Sequence, residues 1–148
     1  MYLQVPPSWR EGNHRAWALT NSCSRCSENR CNSLRLRRHF PDIIMVTNTP
    51  ELYQGMDSVR TCSDIYPGLG PLGGIHAALH AARSQYVYVI ACDMPCINHE
   101  YIEYMRYQLM RTDKQACVTQ RGNWYEPFNA FYSTASLPVM ENDLSEGK

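Results

Sequence analysis

The fold of this 148-residue chain is decided by two stretches, Gly70-Pro71-Leu72-Gly73-Gly74-Ile75 and Ala91-Cys92-Asp93-Met94-Pro95. The first stretch is a glycine turn that opens a helix, and the second ends a hydrophobic strand in a lone carboxylate. A glycine turn brings backbone N–H groups against an anion or a base. An Asp at the carboxyl end of a buried parallel strand lies where α/β sheets bind ligands, and it can hold Mg²⁺ against phosphate oxygens.

Strands and helices alternate around these two stretches. Residues 42–48 and 86–92 are apolar runs typical of buried strands. From Ile75 onward, apolar residues at i, i+3, i+4 and i+7 predict a helix. The other predicted elements are a short helix over 51–56, a helix over 99–111 capped by Asn98, and strands over 58–62, 115–120 and 129–132. This order predicts one α/β domain with a mostly parallel sheet and helices on both faces.

Composition limits the classes of partner and of location. Lys plus Arg and Asp plus Glu both number 14, so no net charge favours nucleic acid or a membrane surface. No apolar run is long enough to cross a bilayer, and no apolar segment follows the N-terminus as in a secretory signal. The seven cysteines are an odd number, which favours reduced thiols over a disulfide framework. We therefore expect a cytoplasmic protein.

The first 36 residues do not continue the α/β pattern. They are rich in Ser, Arg, Asn and Cys and have no sustained helix or strand periodicity. We therefore expect this segment to pack poorly and to supply no central strand. The chain is accordingly divided into an atypical segment, residues 1–36, and a domain, residues 37–148.

Residues 42–132 resemble the molybdenum cofactor guanylyltransferases, a branch of the sugar-nucleotidyltransferase-like α/β enzymes. The resemblance is carried by D-I-Y-P-G-L-G-P-L-G-G at 64–74, C-D-M-P at 92–95 and E-P-F-N-A at 126–130. It implies a nucleotide-diphospho-sugar transferase fold and transfer of GMP from GTP to the phosphate of molybdopterin, with release of pyrophosphate. It also implies Mg²⁺ as cofactor and a molybdoenzyme or a cofactor-delivery protein as partner.

The resemblance assigns roles to residues of this chain. Asp93 would bind Mg²⁺ and the nucleotide phosphates, although an Asp at a strand end also serves as a turn or helix cap. Asp64 would contact the nucleotide by this match, and Asn48 is within reach of the nucleotide by its own position at the end of a predicted strand, although both residue types also bond backbone groups in loops. The pocket wall would be formed by Gly70, Pro71, Leu72, Gly73 and Gly74. The pterin side would be lined by Glu126, Pro127 and Asn129, although an edge strand with a Pro at its start explains this stretch equally well.

One family motif, the phosphate-binding loop L-A-G-G-x-S-x-R-M-G-x-D-K, is absent from the N-terminal segment. Joining the third base of each codon to the first two bases of the next allows L-A-G-G-K-S-S-R-M-G-x-D-K across residues 8–21. Trp17 followed by Ala18 must give Gly in that frame, because TGG is the only Trp codon. We interpret residues 1–36 as an out-of-frame translation that returns to frame near Arg37. The resemblance also implies a further strand and helix after Lys148, so the domain is expected to be incomplete at both ends.

Two alternative functions stay open at this point. A sister nucleotidyltransferase would use CTP or a sugar phosphate, and a non-catalytic remnant or ligand-binding module would explain the absent loop.

The spacing of Cys23, Cys26 and Cys31 is compatible with zinc but lacks a nearby fourth ligand. His76 and His80 lie at i, i+4 but lack a third ligand, and we expect both on the surface. Guanylyl transfer by the chain as written is expected to be impaired.

Overall fold

The structure is a computed structural model that describes residues 16–20, 35–57, 59–94 and 97–146, of which 16–20 by their backbone. Its strands are β1 (Ala16–Thr20), β2 (Asp42–Val46), β3 (Arg60–Cys62), β4 (Tyr86–Ala91), β5 (Ala116–Arg121) and β6 (Trp124–Ser133). Its α-helices are α1 (Pro71–Ala81), α2 (His99–Met110) and α3 (Leu137–Ser145). Short 3-10 turns cover Pro50–Tyr53 and Thr134–Ser136.

The strands form one six-stranded sheet in the order β3-β2-β1-β4-β6-β5. The strands β3, β2, β1 and β4 are mutually parallel, and β6 runs antiparallel to both β4 and β5. The two apolar runs predicted as strands therefore lie in one parallel sheet, as expected. Because both strands point the same way, the residues that follow them emerge at the same edge of the sheet.

Helices cover both faces of the sheet. On one face α1 packs against β2 and β4 while α3 packs against α1, and Ile75, Leu79 and Met140 are buried in one cluster there. On the other face α2 contributes Ile102, Met105 and Leu109 to a second buried cluster. Each cluster removes the apolar side of an amphipathic helix from water, which is the main free-energy gain of this layered packing. The predicted α/β class with helices on both faces is confirmed.

The expectation that the N-terminal segment supplies no central strand is wrong. Residues 16–20 form β1, which pairs with β2 on one side and with β4 on the other. The sequence A-W-A-L-T is short, and periodicity alone does not separate such a run from other apolar segments. Its place is set by its neighbours, because β2 and β4 would otherwise each leave a row of backbone groups unpaired inside the domain. Residues 1–15 and 21–34 lie outside the described residues.

Two elements begin four or more residues before the predicted position. Helix α1 begins at Pro71 rather than at Ile75, with Gly70 as its N-cap at φ 69°. Pro is favoured at the first helical position because its fixed φ suits a helix and because an N–H at that position would have no partner within the helix. Strand β6 begins at Trp124 rather than at residue 129, since residues 124–126 pair with β5 across a hairpin. The N-cap of α2 is confirmed, because Asn98 Oδ1 accepts a hydrogen bond from the Tyr101 N–H at 3.0 Å.

Candidate functional site

A cleft of about 590 Å³ opens at the carboxyl edge of the parallel strands. It lies between the segments that follow β2 and β4, the N-terminus of α1 and the part of β6 near Phe128. Its lining consists of Val46, Thr47, Asn48, Asp64, Gly68, Gly70, Pro71, Gly74, Ala91, Cys92, Asp93, Met94 and Phe128. The location is the one in which open α/β sheets bind ligands, outside the carboxyl ends of their strands.

Asn48 and Asp64 are linked directly inside the cleft. The Asp64 N–H donates to Asn48 Oδ1 at 3.2 Å. This bond orients the Asn48 side chain, so that its amide nitrogen is left as a donor for other partners. The Asp64 carboxylate in turn accepts the Tyr66 N–H at 2.9 Å, which holds it in a tight local turn. The two side chains therefore form one polar unit rather than two separate contacts.

The first turn of α1 has no room for a side chain at position 73, where the sequence has Gly73. A Cβ at this position would lie 3.0 Å from Asp64 Oδ1 and 3.0 Å from the Tyr66 carbonyl oxygen. Such distances are too short for ordinary carbon contacts. Gly73 therefore contributes to the site indirectly, because its missing side chain allows the Asp64 turn to lie against the helix.

Asp93 is an exposed carboxylate on the turn that follows β4. The Met94 N–H donates to the Ala91 carbonyl at 3.3 Å, which closes that turn, and Asp93 lines the cleft. The N-terminus of α1 lies on the same cleft, where Gly70 and Gly74 are among the lining residues. A helix N-terminus favours negative charge, so the cleft combines a carboxylate with an anion-favouring backbone.

Six of the residues singled out from the sequence line this cleft, and five do not. Those in the lining are Asn48, Asp64, Gly70, Pro71, Gly74 and Asp93. Leu72 and Gly73 lie behind it in the first turn of α1, and Glu126, Pro127 and Asn129 are in β6 outside the lining.

The residues of β6 assigned to the pterin side are held by bonds within the fold. Asn129 Oδ1 accepts the Tyr88 hydroxyl at 2.6 Å, and burial raises the pKa of Tyr88, which keeps that hydroxyl a donor. The Pro127 carbonyl accepts the Tyr132 hydroxyl at 3.0 Å, and burial raises the pKa of Tyr132 to about 12. Of this stretch only Phe128 reaches the cleft.

Sequence reasoning missed several lining residues. Phe128 stands inside the E-P-F-N-A motif, of which only Glu126, Pro127 and Asn129 were assigned a role, although its large aromatic ring was a usable indication. Thr47 is buried and lines the cleft, and its Oγ1 accepts the Thr49 N–H at 3.1 Å. Such a turn-closing hydroxyl is recognisable only once the end of β2 is known.

The expectation that His76 lies on the surface is wrong. Its side chain is only 2% exposed, whereas His80, one turn later, is exposed as expected. The i, i+3, i+4 pattern placed His76 beside the apolar face of α1, and α3 then covers that flank. Within the described residues no cluster of three or more His, Cys, Asp or Glu side chains has the arrangement of a metal site.

The described cysteines carry free thiols. Cys62, Cys92 and Cys117 form no disulfide. Burial raises the pKa of Cys62 to about 11, and its thiol points to the Ala77 carbonyl at 3.8 Å. Such a thiol stays protonated at neutral pH and packs as a small apolar side chain. In the part of the chain that the structure covers, no helix has the length and apolar character needed to span a membrane.

Comparisons with known proteins agree with this geometry. The profile of the MobA-like NTP transferase domain matches residues 33–148. The molybdenum cofactor guanylyltransferase of Syntrophotalea carbinolica is 51% identical over 108 residues, which cover 73% of this chain and 51% of that protein. A probable molybdenum cofactor guanylyltransferase of Peptoclostridium acidaminophilum is 47% identical over 119 residues, covering 77% of this chain and 53% of that protein. The chain thus spans about half the length of these relatives.

Solved structures show the same fold. Molybdopterin-guanine dinucleotide biosynthesis protein A from Archaeoglobus fulgidus matches with a TM-score of 0.67 at 20% identity, over 89% of this chain and 74% of that chain. A 2-C-methyl-D-erythritol 4-phosphate cytidylyltransferase from Francisella tularensis matches with a TM-score of 0.65 at 11% identity, over 89% and 79%. At these identities the likeness concerns the fold alone. The profile match, which covers most of the chain, establishes that this protein belongs to the MobA-like NTP transferase family.

Proposed function

We propose that the complete protein transfers GMP from GTP to the phosphate of molybdopterin and releases pyrophosphate. The observation that carries this proposal is the cleft that brings Asn48, Asp64 and Asp93 to the N-terminus of α1. The names of the two curated relatives described above support this choice of substrates. We also propose that the protein works in the cytoplasm and passes its product to a molybdoenzyme or a cofactor-delivery protein.

In this reaction a phosphate oxygen of molybdopterin forms a bond to the α-phosphorus of GTP while the bond to pyrophosphate breaks. Such a displacement needs position and charge neutralisation more than a side-chain nucleophile. In the proposal, the Asn48 amide and the Asp64 turn hold the nucleoside, and the backbone at the start of α1 faces phosphate oxygens. The acceptor would approach from the side of Phe128, which lines the remaining wall.

A divalent cation fits the donor set of the cleft. Mg²⁺ binds proteins through one or two carboxylates, together with waters and substrate phosphates, rather than through a closed cage. Asp93 offers one exposed carboxylate on the cleft wall, and Asp64 offers a second that is half-buried. We propose that Asp93 would hold Mg²⁺, which when bound neutralises phosphate charge.

We further propose that residues 1–36 are an out-of-frame translation of the family's phosphate-binding segment. The family profile begins to match at residue 33, close to the boundary near Arg37. The shifted reading of residues 8–21 allows the loop motif, with its glycines, Arg and Lys, that is absent from the chain as written. In this view β1 occupies the central position that the in-frame segment would fill.

Frame restoration tests the function. GMP transfer is assayed with Mg-GTP and molybdopterin as substrates for two proteins. One is the chain as written, and the other has the shifted frame over residues 8–36 and an extended C-terminus. We expect transfer only in the restored protein, because losing even one preorganised donor to a developing anion costs ~10²–10³-fold in rate. Asp93→Ala should abolish the restored activity, whereas Asp113→Ala, which removes an exposed carboxylate that is not part of the cleft lining, should leave it unchanged. Full activity of the chain as written, or indifference of the restored protein to Asp93, would refute the mechanism.

The same assay separates two alternative functions. A cytidylyltransferase or a sugar-phosphate nucleotidyltransferase would be detected by product formation with CTP or with a sugar phosphate as acceptor. A non-catalytic ligand-binding module, which the absence of the loop motif favours, would bind Mg-GTP but release no pyrophosphate even after frame restoration.

A further inference from the structure

His76 is a buried histidine that no step of the proposed reaction uses. Its Nε2 lies 3.3 Å from Glu141 Oε1 on α3, and the Glu141 side chain is half exposed. Its Nδ1 is buried and has no hydrogen-bond partner among the described residues. The bond to a carboxylate requires the proton on Nε2, which leaves Nδ1 as a bare acceptor in the neutral ring.

The ring of His76 also contacts the cleft loop. Its edge-to-face partner is Tyr66, with ring centroids 5.1 Å apart and planes inclined at 75°. Edge-to-face packing of this kind is a favoured aromatic geometry. His76 therefore contacts α3 through Nε2 and the loop of residues 64–70 through its ring.

Tyr66 connects that contact to the site. Its N–H donates to the Asp64 carboxylate, and its carbonyl accepts the Leu69 N–H at 3.3 Å. The same carbonyl would lie 3.0 Å from a Cβ on Gly73, so Tyr66 fits closely against the first turn of α1. A displacement of the Tyr66 ring therefore moves the turn that carries Asp64.

We infer that His76 is a positioning residue, which holds the Asp64 turn in the cleft by bracing Tyr66 against α1. Glu141 fixes the ring orientation by accepting the Nε2 proton, and the ring then supports Tyr66. The importance of this position for nucleotide transfer rests on the proposed function, whereas the bracing itself is a property of the fold and is measurable without nucleotide.

Amide hydrogen exchange on the chain as written tests the bracing. His76→Gln keeps an N–H donor for Glu141 but removes the ring, and His76→Phe keeps a ring against Tyr66 but removes the donor. We expect His76→Gln to speed exchange of the Tyr66 and Leu69 amides about tenfold while the Val89 amide in β4 is unchanged, because only the loop opens. His76→Phe should have a smaller effect. Arg83→Gln, at an exposed position just after the same helix, is the control and should change none of these rates.

Three results would overturn the inference. They are unchanged exchange at Tyr66 in His76→Gln, equal acceleration at Tyr66 and Val89, and an effect of His76→Phe as large as that of His76→Gln. Should the His76 variants not fold, Tyr66→Leu removes the same contact from the loop side, and nitrogen NMR of the unsubstituted protein reports the tautomer. A proton found on Nδ1 rather than on Nε2 would also contradict the bracing.

A kinetic readout connects the bracing to the site. In the frame-restored protein, His76→Gln should raise KM for GTP roughly threefold to tenfold with little change in kcat, because Asp93 and the start of α1 stay in place. An unchanged KM would show that the loop position does not matter for the nucleotide. Absence of transfer in the unsubstituted restored protein would count against the proposed function and leave the exchange result standing.

Discussion

Gly73 tests the site at the scale of a single residue. We expect Gly73→Ala to destabilise the fold by about 1–3 kcal/mol, because the new Cβ would meet Asp64 Oδ1 and the backbone oxygen of Tyr66. The better helix propensity of Ala, about 1 kcal/mol, offsets only part of this cost. Urea unfolding measures the change, and His80→Ala on the exposed side of α1 serves as the control. A higher stability of Gly73→Ala would contradict this prediction and would show that the Asp64 turn moves away from the new Cβ at little cost in free energy.

His99 makes stability depend on pH. Burial, followed by the neighbouring His39, Arg38 and Arg35, lowers the pKa of His99 below its usual 6.5, while Glu103 opposes them. The rings of His99 and His39 are stacked with centroids 4.5 Å apart. The unfolded chain binds a proton at His99 more readily than the folded protein does. The stability that neutral His99 contributes is therefore fully present above pH 6.5, and it is lost as the pH falls through the lowered pKa of His99 in the folded protein.

The measurement is the free energy of unfolding between pH 8 and pH 5 for the unsubstituted protein and for His99→Gln. We expect the free energy of unfolding of the unsubstituted protein to fall relative to that of His99→Gln as pH decreases, since Gln does not titrate. A difference that stays constant over this range would contradict the assignment.

At the scale of elements, Arg60 joins the edge strand β3 to its neighbours. Its Nε and Nη2 donate to the two Asp42 carboxylate oxygens at 2.8 and 2.6 Å, and Nη2 also donates to the Ala81 carbonyl at 3.1 Å. The Asp42 hydrogen bond is the main reason that the pKa of Arg60 is raised. One guanidinium thus ties the start of β2 to β3 and to the C-terminus of α1.

We expect Arg60→Lys to cost roughly 1 kcal/mol of unfolding free energy, because an ammonium group does not reproduce the planar two-point contact. Arg83→Lys, at an exposed position just after α1, is the matched control and should have little effect. Chemical denaturation of both variants measures the difference. Equal stability of the two variants would mean that solvent screening cancels the contribution of this partly exposed pair.

At the scale of the whole molecule, β1 joins the two halves of the sheet. Ala18 is the middle residue of β1 and is in register with Ile44 on β2 and with Val89 on β4. We expect Ala18→Pro to destabilise the protein by more than about 2 kcal/mol, because Pro lacks the ladder N–H and leaves a buried carbonyl unpaired. Ala18→Val, which suits a strand, is the control. Unfolding midpoints that are the same for both variants would show that the sheet does not depend on β1.

Much of the architecture was readable from local sequence. The apolar runs that became β2 and β4 and the apolar face of α2 are uninterrupted, so their burial requires no knowledge of distant residues. The Asn98 cap depends on atoms only three residues apart, and it was predicted correctly. The common edge at which Asn48 and Asp93 emerge follows from two parallel strands alone. The sequence by itself therefore determined the fold class and the place of the cleft.

Other features were decided only by tertiary structure, because they depend on what lies opposite a residue. Residues 16–20 became the central strand because β2 and β4 each present backbone groups to them. His76 became buried because α3 covers the flank of α1, which the helical pattern leaves undefined. Asn129 turned to Tyr88 rather than to the cleft because β6 pairs with β4 in one register. Such contacts join residues far apart in the chain, and no local pattern encodes them.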